Sequence, residues 1–298
     1  MSITNDFEYV KPKSLAETLK ILVKNKNAMV LAGGTDLVGS LKERTVAPDL
    51  VIDIKGLKEL KKIEKKGGAI HIGALVTFSE LIESKLVGKR MPVLVEISKK
   101  VASVGIRNRA TFIGNICSAV PCLDSGPVLV AMGGFVHVKS RLRTRKIPAE
   151  KWFIHARKTA RKPGELVIGA SIPLPREKNG ACYIKLGRYQ GEDLAQASVF
   201  VHLSLKNKIP LYQIAFGSVA PVPRRAHRIE KALNGRKLNH ELVTEARNLV
   251  ASVVTPITDI RATREYRLLM CEVMLERALL AAQERLNGRG PAYGVNLI

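Results

Sequence analysis

Apolar residues recur along this chain with two different periods, and the change from one to the other divides it. In the first half helical and strand patterns alternate. Ser14-Leu15-Ala16-Glu17 is a capping box, and Leu15, Leu19, Leu22 and Val23 then fall on one helical face. A short apolar run at 28–31 predicts a strand, and Val38 and Leu41 begin a second helix. Residues 50–54 predict a strand turned by Lys55-Gly56, and 69–73 alternate as a half-buried strand. Thr77-Phe78-Ser79-Glu80 is a second capping box, opening a helix over 80–86, and 91–101 predict another with Pro92 near its start. Strands follow at 135–138 and 166–172, the latter closed by Pro173 and Pro175.

Beyond the proline-bounded stretch 173–179 the order changes. Three strand-like runs, 181–187, 197–205 and 211–217, come in succession, with Lys206-Asn207-Lys208 as a hairpin turn between the last two. Helical segments then follow at 228–234, stopped by Gly235, at 241–250 and at 266–284. Strands followed by helices predict a separate α+β unit, one sheet backed by helices. The expected division is 1–175, with subdomains of about 1–57 and 58–175, then 176–287, then an irregular tail at 288–298. No internal repeat or low-complexity segment is evident.

Two stretches carry chemistry rather than periodicity. Residues 104–127, V-G-I-R-N-R-A-T-F-I-G-N-I-C-S-A-V-P-C-L-D-S-G-P, have too little period for a long helix and too many small or hydroxylated residues for a buried strand. They read as a loop built to touch a ligand. Thr111, Gly114, Asn115, Ser118 and Asp124 offer hydroxyl, amide and carboxylate groups, and Arg107 and Arg109 add positive charge, a set suited to a phosphorylated polyol. The plain alternative is a capped turn leading into the apolar run 128–132. Val30-Leu31-Ala32-Gly33-Gly34-Thr35-Asp36-Leu37 is the second stretch: paired glycines leave backbone N–H groups bare for an anion, with a hydroxyl beside them.

In this order, about eighty residues apart, the two stretches resemble the flavin-binding medium subunit of the molybdenum hydroxylases, the xanthine dehydrogenase and carbon monoxide dehydrogenase family. There an A-G-G-T-D loop and a later R-N-x-A-T-x-G-G-N loop bind FAD together. Lys185-Leu186-Gly187-Arg188, Asp193-Leu194-Ala195 and Asp259 to Arg267 are similar to the family's K-x-G-R, D-I-A and D-x-R-x-x-x-x-Y-R elements. The resemblance covers nearly the whole chain. It implies a two-subdomain FAD-binding region of the vanillyl-alcohol oxidase (PCMH) type and a C-terminal three-stranded sheet with helices.

Carried over residue by residue, Val30, Leu31, Ala32, Gly33, Gly34, Thr35 and Asp36 would wrap the pyrophosphate and ribityl chain. Ala110, Thr111, Gly114, Asn115 and Ser118 would form a second wall, Asp124 would lie near the adenosine end, Ile168 near the cofactor, and Lys185 by the flavin ring or its chain. One position departs from the pattern: Ile113 stands where the family has the first of two glycines, so the second wall is expected to be displaced or to rely on Gly114 alone. The implied role is electron relay with no catalytic acid or base here. Molybdopterin and [2Fe-2S] clusters would lie in a large and a small partner subunit, in a dimer of heterotrimers, and FAD would pass electrons to NAD or another acceptor. No G-x-G-x-x-G fingerprint argues for NAD in particular.

Composition adjusts this picture at a few points. The 298 residues, 46% hydrophobic, suffice for a large core. No apolar run approaches the ~20 residues of a membrane span, and the first residues lack a signal pattern, so a cytoplasmic protein is expected. Cys117 and Cys122 have the C-x4-C spacing that can start a plant-type iron–sulfur pattern, but no Cys follows two residues later and no fourth is near, so Cys117 is expected to be a partly buried filler and Cys122, Cys182 and Cys271 core residues. His71, His137 and His202 sit singly in strand-like runs, without a metal or hydrolase motif. The net charge of +23 admits docking to acidic partner subunits, a plain solvated surface, or nucleic-acid binding. Nucleic acid is disfavoured because the aromatics, 5% of the chain, do not interleave the basic patches. A self-sufficient FAD oxidoreductase of the same fold is the other alternative, and no internal substrate acid–base pair supports it.

Overall fold

The computed structural model describes residues 2–175, 178–189 and 193–298, so positions 176 and 177 of the expected boundary lie outside the described residues. The N-terminal segment supplies β1 (Glu8–Val10), α1 (Leu15–Lys24), β2 (Ala28–Leu31), α2 (Leu37–Lys42) and β3 (Leu50–Asp53), the strands forming a parallel sheet in the order β1-β3-β2. Ser14 Oγ accepts from the Glu17 N–H at 3.1 Å, capping α1. The Glu17 carboxylate accepts from Lys13 N–H at 2.7 Å, one residue before the reciprocal partner a capping box requires. Leu19 and Leu22 are buried, but Val23 is 50% exposed, so the apolar stripe is narrower than its spacing predicts.

Next come β4 (Ile63–Lys66), β5 (Ala69–Gly73), α3 (Phe78–Glu83), α4 (Lys85–Arg90), α5 (Pro92–Lys99), α6 (Val104–Arg107), α7 (Phe112–Ser118) and α8 (Ser125–Ala131). They are followed by β6 (Phe135–Lys139), β7 (Thr144–Pro148), α9 (Ala149–Trp152), β8 (Phe153–His155), β9 (Lys158–Thr159) and β10 (Leu166–Pro173). An antiparallel sheet in the order β4-β5-β10-β6-β7 buries Ile70, Ile72, Val136, Val138, Ala170 and Ile172 in the core. On its other face the His71 and His137 rings stack with centroids 5.6 Å apart, and His137 Nε2 lies 2.8 Å from Ser171 Oγ. These histidines are therefore a pair, brought together by register across β10 rather than by sequence.

Two expectations change here. The helix expected over 80–86 breaks at Ser84, whose side chain accepts from Val87 N–H and starts α4. The stretch 104–127, expected to be a loop, is largely short helices. Ser103 and Thr111 cap α6 and α7, and Ala119 in the left-handed region (φ +46°) ends α7, leaving only 108–111 and 119–124 irregular. Each helix is too short to show a period of its own.

The C-terminal part holds β11 (Asn179–Leu186), β12 (Ala197–Lys206), β13 (Ile209–Gly217), β14 (Arg224–Arg225), α10 (His227–Leu233), α11 (His240–Asn248) and α12 (Arg264–Leu286). The three expected strands pair antiparallel, and two-residue β14 extends the sheet at its edge. Asn207 and Lys208, with φ of +52° and +67°, make the tight β12–β13 turn, whose hand suits the strand twist. Both faces of this sheet are covered. Cys182, Ile184, Val199, Val201, Ile214 and Phe216 pack with α10 to α12. Ala181, Tyr183, Phe200 and Ala215 point the other way, into the core of the first half. Residues 288–298 form no helix or strand, yet Tyr293, Leu297 and Ile298 pack on these cores.

Candidate functional site

The loop after β2 and the segment before α7 meet backbone to backbone. A Cβ added to Gly33 would lie 2.1 Å from the Arg109 carbonyl oxygen, so only glycine allows this approach. Gly34 has φ +84°, the left-handed region in which a side chain is strained. Among the described residues the N–H groups of Gly33, Gly34 and Thr35 have no protein acceptor. Ser118 Oγ donates to the Asp36 carboxylate across the junction, so Asp36, although it precedes α2, does not cap it.

On the opposite side Thr111 Oγ1 accepts from Gly114 N–H at 2.9 Å, and a Cβ at Gly114 would fall 2.7 Å from that oxygen. Asn115 Oδ1 accepts from Ser125 Oγ at 2.5 Å, tying α7 to the start of α8. Ala110 is buried, and its carbonyl accepts from Phe78 N–H. Ile113 lies within α7 with its side chain buried in the core. It needs no left-handed backbone there, so nothing at 113 displaces this wall, and the glycine that matters is Gly114.

Asp124, at the start of α8, is 6% exposed and fully engaged: the Tyr183 hydroxyl donates to one oxygen at 2.7 Å and Lys185 Nζ to the other at 3.0 Å. Lys185 also donates to the Lys100 carbonyl at 2.9 Å. Burial pushes the Asp124 carboxyl above its ordinary range, against the opposing pull of Lys185 and the Tyr183 hydroxyl. Asp124 and Lys185, expected at separate ends of the cofactor, are thus one ion pair between α8 and β11. Ile168 sits half-buried at the β10 irregularity, its carbonyl accepting from Ala74 N–H, packed on the first core.

The remaining motif residues gather nearby. Lys185, Gly187, Arg188, Asp193 and Tyr266 border a cavity of about 500 Å³. Asp193 accepts from the N–H groups of Arg188 and Leu194, and Arg261 Nη1 lies 3.3 Å from it. Asp259 pairs with Arg267 at 2.6 Å and takes two N–H groups of its own turn, which makes the D-x-R-x-x-x-x-Y-R element a lock on the start of α12. Cys117 is exposed on the last turn of α7, not the partly buried filler its small size predicts, and Cys122 is half-buried; Cys182 and Cys271 are core residues. Among the described residues no helix is long and apolar enough to cross a membrane.

Sequence reasoning missed Tyr183, which donates to Asp124, and Glu96, which accepts from the Tyr183 N–H. Tyr183 stands two residues before Lys185, on the same strand face, and that period was the available signal. Glu96 carried none, since its buried position emerges only when α5 packs on β11.

A family model for the FAD binding domain in molybdopterin dehydrogenase matches residues 5–175, and one for the CO dehydrogenase flavoprotein C-terminal domain matches 181–282. The chain is 32% identical over 274 residues to the glyceraldehyde dehydrogenase medium chain of Sulfolobus acidocaldarius, covering 92% of this chain and 97% of that one. It is 30% identical over 280 residues to the carbon monoxide dehydrogenase medium chain of Hydrogenophaga pseudoflava, covering 94% and 98%. Among solved structures, carbon monoxide dehydrogenase from Hydrogenophaga pseudoflava superposes with a TM-score of 0.91 at 31% identity, over 96% of this chain and 99% of that one. Quinoline 2-oxidoreductase from Pseudomonas putida 86 gives 0.90 at 25% identity, covering 96% and 99%.

Fold and family models together define an FAD-binding domain joined to a flavoprotein C-terminal domain. The chain belongs to the family of FAD-binding medium subunits of the molybdenum hydroxylases.

Proposed function

We propose that this chain holds FAD between the Gly33 loop and the Thr111–Ser118 wall and relays electrons within a larger molybdenum hydroxylase assembly. The observation that carries this reading is the row of unpaired N–H groups at Gly33, Gly34 and Thr35, beside a close approach that a Cβ would fill. Bare backbone donors in a concave turn are what a pyrophosphate requires. Val30, Leu31 and Ala32 bring the chain from the strand into that turn. Thr35 adds a hydroxyl, and the Asp36–Ser118 bridge holds the two walls together. Ala110, Gly114 and Asn115 set the opposing surface, with Ile168 the apolar contact. The buried Asp124–Lys185 pair, a single contact at 3.0 Å, would meet the cofactor at one place from the C-terminal side.

FAD supplies the capacity to accept electrons singly and release them as a pair. The donors would be iron–sulfur clusters in a small subunit, fed by a large molybdopterin subunit in a dimer of heterotrimers, and the acceptor NAD or another oxidant. We divide the chain accordingly at 1–175, 176–287 and 288–298.

The first test is an absorbance spectrum of the native protein, mass spectrometry of what acid releases, and a gel of what co-purifies. Released FAD with one larger and one smaller chain is the expected result. A flavin-free chain that retains nucleic acid would overturn the reading. Gly33→Ala, which drives a Cβ into the Arg109 carbonyl, is expected to weaken FAD binding at least about tenfold, or ~1.4 kcal/mol, in a fluorescence titration.

A further inference from the structure

The interdomain half of the site is anchored by a buried pair that no chemistry of the cofactor requires. Glu96 on α5 and Arg285 on α12 are 1% and 3% exposed at their side chains, and two guanidinium nitrogens donate to the two carboxylate oxygens at 2.8 and 3.1 Å. The rest of the carboxylate is also used, accepting from Tyr183 N–H at 3.1 Å and Gly294 N–H at 2.9 Å. Arg285 donates further to the carbonyls of Ala181, Pro291 and Ala292, and the Tyr293 ring covers it with its centroid 4.0 Å from the guanidinium carbon. Four segments, α5, β11, α12 and 291–294, therefore converge on one ion pair. Desolvation makes such a pair a poor source of stability compared with apolar packing of the same volume. What it supplies is a fixed geometry.

That geometry leads directly to Asp124. Glu96 grips β11 at Tyr183 N–H, and Lys100, one helical turn further along the chain, grips it at Lys185 through its carbonyl. One contact ties the β11 backbone to the Glu96 side chain, and the other ties the end of the Lys185 side chain to the Lys100 backbone, so α5 and its C-cap hold both residues of β11. The side chains of the two gripped residues, Tyr183 and Lys185, are the two that donate to Asp124.

We propose that Glu96 and Arg285, with residues 291–294 closed over them, are positioning residues for the cofactor site: they fix β11 on α5 and so hold Tyr183 and Lys185 on Asp124. The inference rests on the reading that Asp124 and Lys185 face FAD. The experiment is a titration of the full-length apo chain with FAD, followed by flavin fluorescence and by visible circular dichroism of the bound flavin. Variants are Glu96→Gln, Tyr183→Phe, their double, Tyr293→Ala, and Arg247→Gln as a control that cuts the Arg247–Glu276 pair elsewhere in the same domain.

Glu96→Gln and Tyr183→Phe are each expected to weaken FAD about fivefold and to change the flavin dichroism alike. The double should bind no more weakly than the poorer single, because both act through one path. Tyr293→Ala should weaken it about threefold, and Arg247→Gln should leave it unchanged. Wild-type affinity in a folded Glu96→Gln, effects that multiply in the double, or an equal loss in Arg247→Gln would each overturn the proposal. If Glu96→Gln does not fold, Tyr293→Ala decides alone, wild-type binding refuting it. A wild-type chain that takes up no FAD refutes the functional reading itself, an outcome distinct from all of these.

Discussion

Between Gly33 and Ser118 the candidate site is made of backbone: glycines that permit close approach, free N–H groups, and hydroxyls that cap or bridge. Between Asp124 and Lys185 it is made of buried charge, each group already satisfied by another part of the chain. The first half leaves the N–H groups of Gly33, Gly34 and Thr35 without a protein acceptor among the described residues. The second half is a closed network in which every member depends on the others. A change in the loops should therefore act mainly on ligand binding, and a change at the ion pair on the fold as well as on binding.

The largest effect follows from breaking that second network. Lys185→Met leaves the Asp124 carboxylate buried beside only the Tyr183 hydroxyl, and removing one partner of a buried pair costs about 3–5 kcal/mol. Urea unfolding of the full chain should show this loss. Adding Asp124→Asn should recover most of it, since the uncompensated charge is then gone. Equal instability in the single and double variants would mean that packing of the lysine stem, not charge, holds the junction.

The same contrast explains what the sequence could tell. A tight turn at Gly33-Gly34 was legible because paired glycines are a local signal, whereas the approach of Gly33 to Arg109, 76 residues on, and the capping of α7 by Thr111 show only in the fold. The partnership of Asp124 with Lys185 was not legible either, since the two lie 61 residues apart and each looked like a separate ligand contact. Strand positions were readable from apolar runs, and the near-continuous Ala-Ser-Val-Phe-Val of β12 reflects burial on both faces. By contrast α6 to α8 were hidden, because helices of four to seven residues hold too few turns for a period to show. The stacking of His71 on His137 depends on β10 lying between their strands, a long-range choice that neither local pattern contains.

A smaller effect comes from acid and reads buried histidines that lie outside both halves. His202 lies on the face of β12 that meets the first domain, 3% exposed, with Nδ1 2.9 Å from Gln213 Oε1 and, among the described residues, no partner for Nε2. Burial pushes its ring down to about 4 from the ordinary 6.5. A histidine that stays neutral when folded contributes stability above pH 6.5, and that contribution declines as pH falls toward 4, by roughly 3 kcal/mol in all. His137, held down to about 4 mainly by burial, adds to the same decline. His202→Gln should flatten part of the fall in urea midpoint between pH 6.5 and 4. An unchanged slope would place the acid sensitivity elsewhere.

The smallest effect tests the loop half directly. Thr111 Oγ1 is the cap of α7, and its loss leaves the Gly114 N–H without its acceptor, a change worth about 1 kcal/mol. Thr111→Ala should therefore lower the urea midpoint slightly. The altered wall should weaken FAD by more than that loss of stability alone explains, because Asn115 and Ser118 ride on the same short helix. Thr111→Ser keeps the oxygen and should restore both properties. If Thr111→Ala lowers stability but binds FAD like the wild type, α7 is a structural wall only, and the ligand-facing surface is confined to the Gly33 loop.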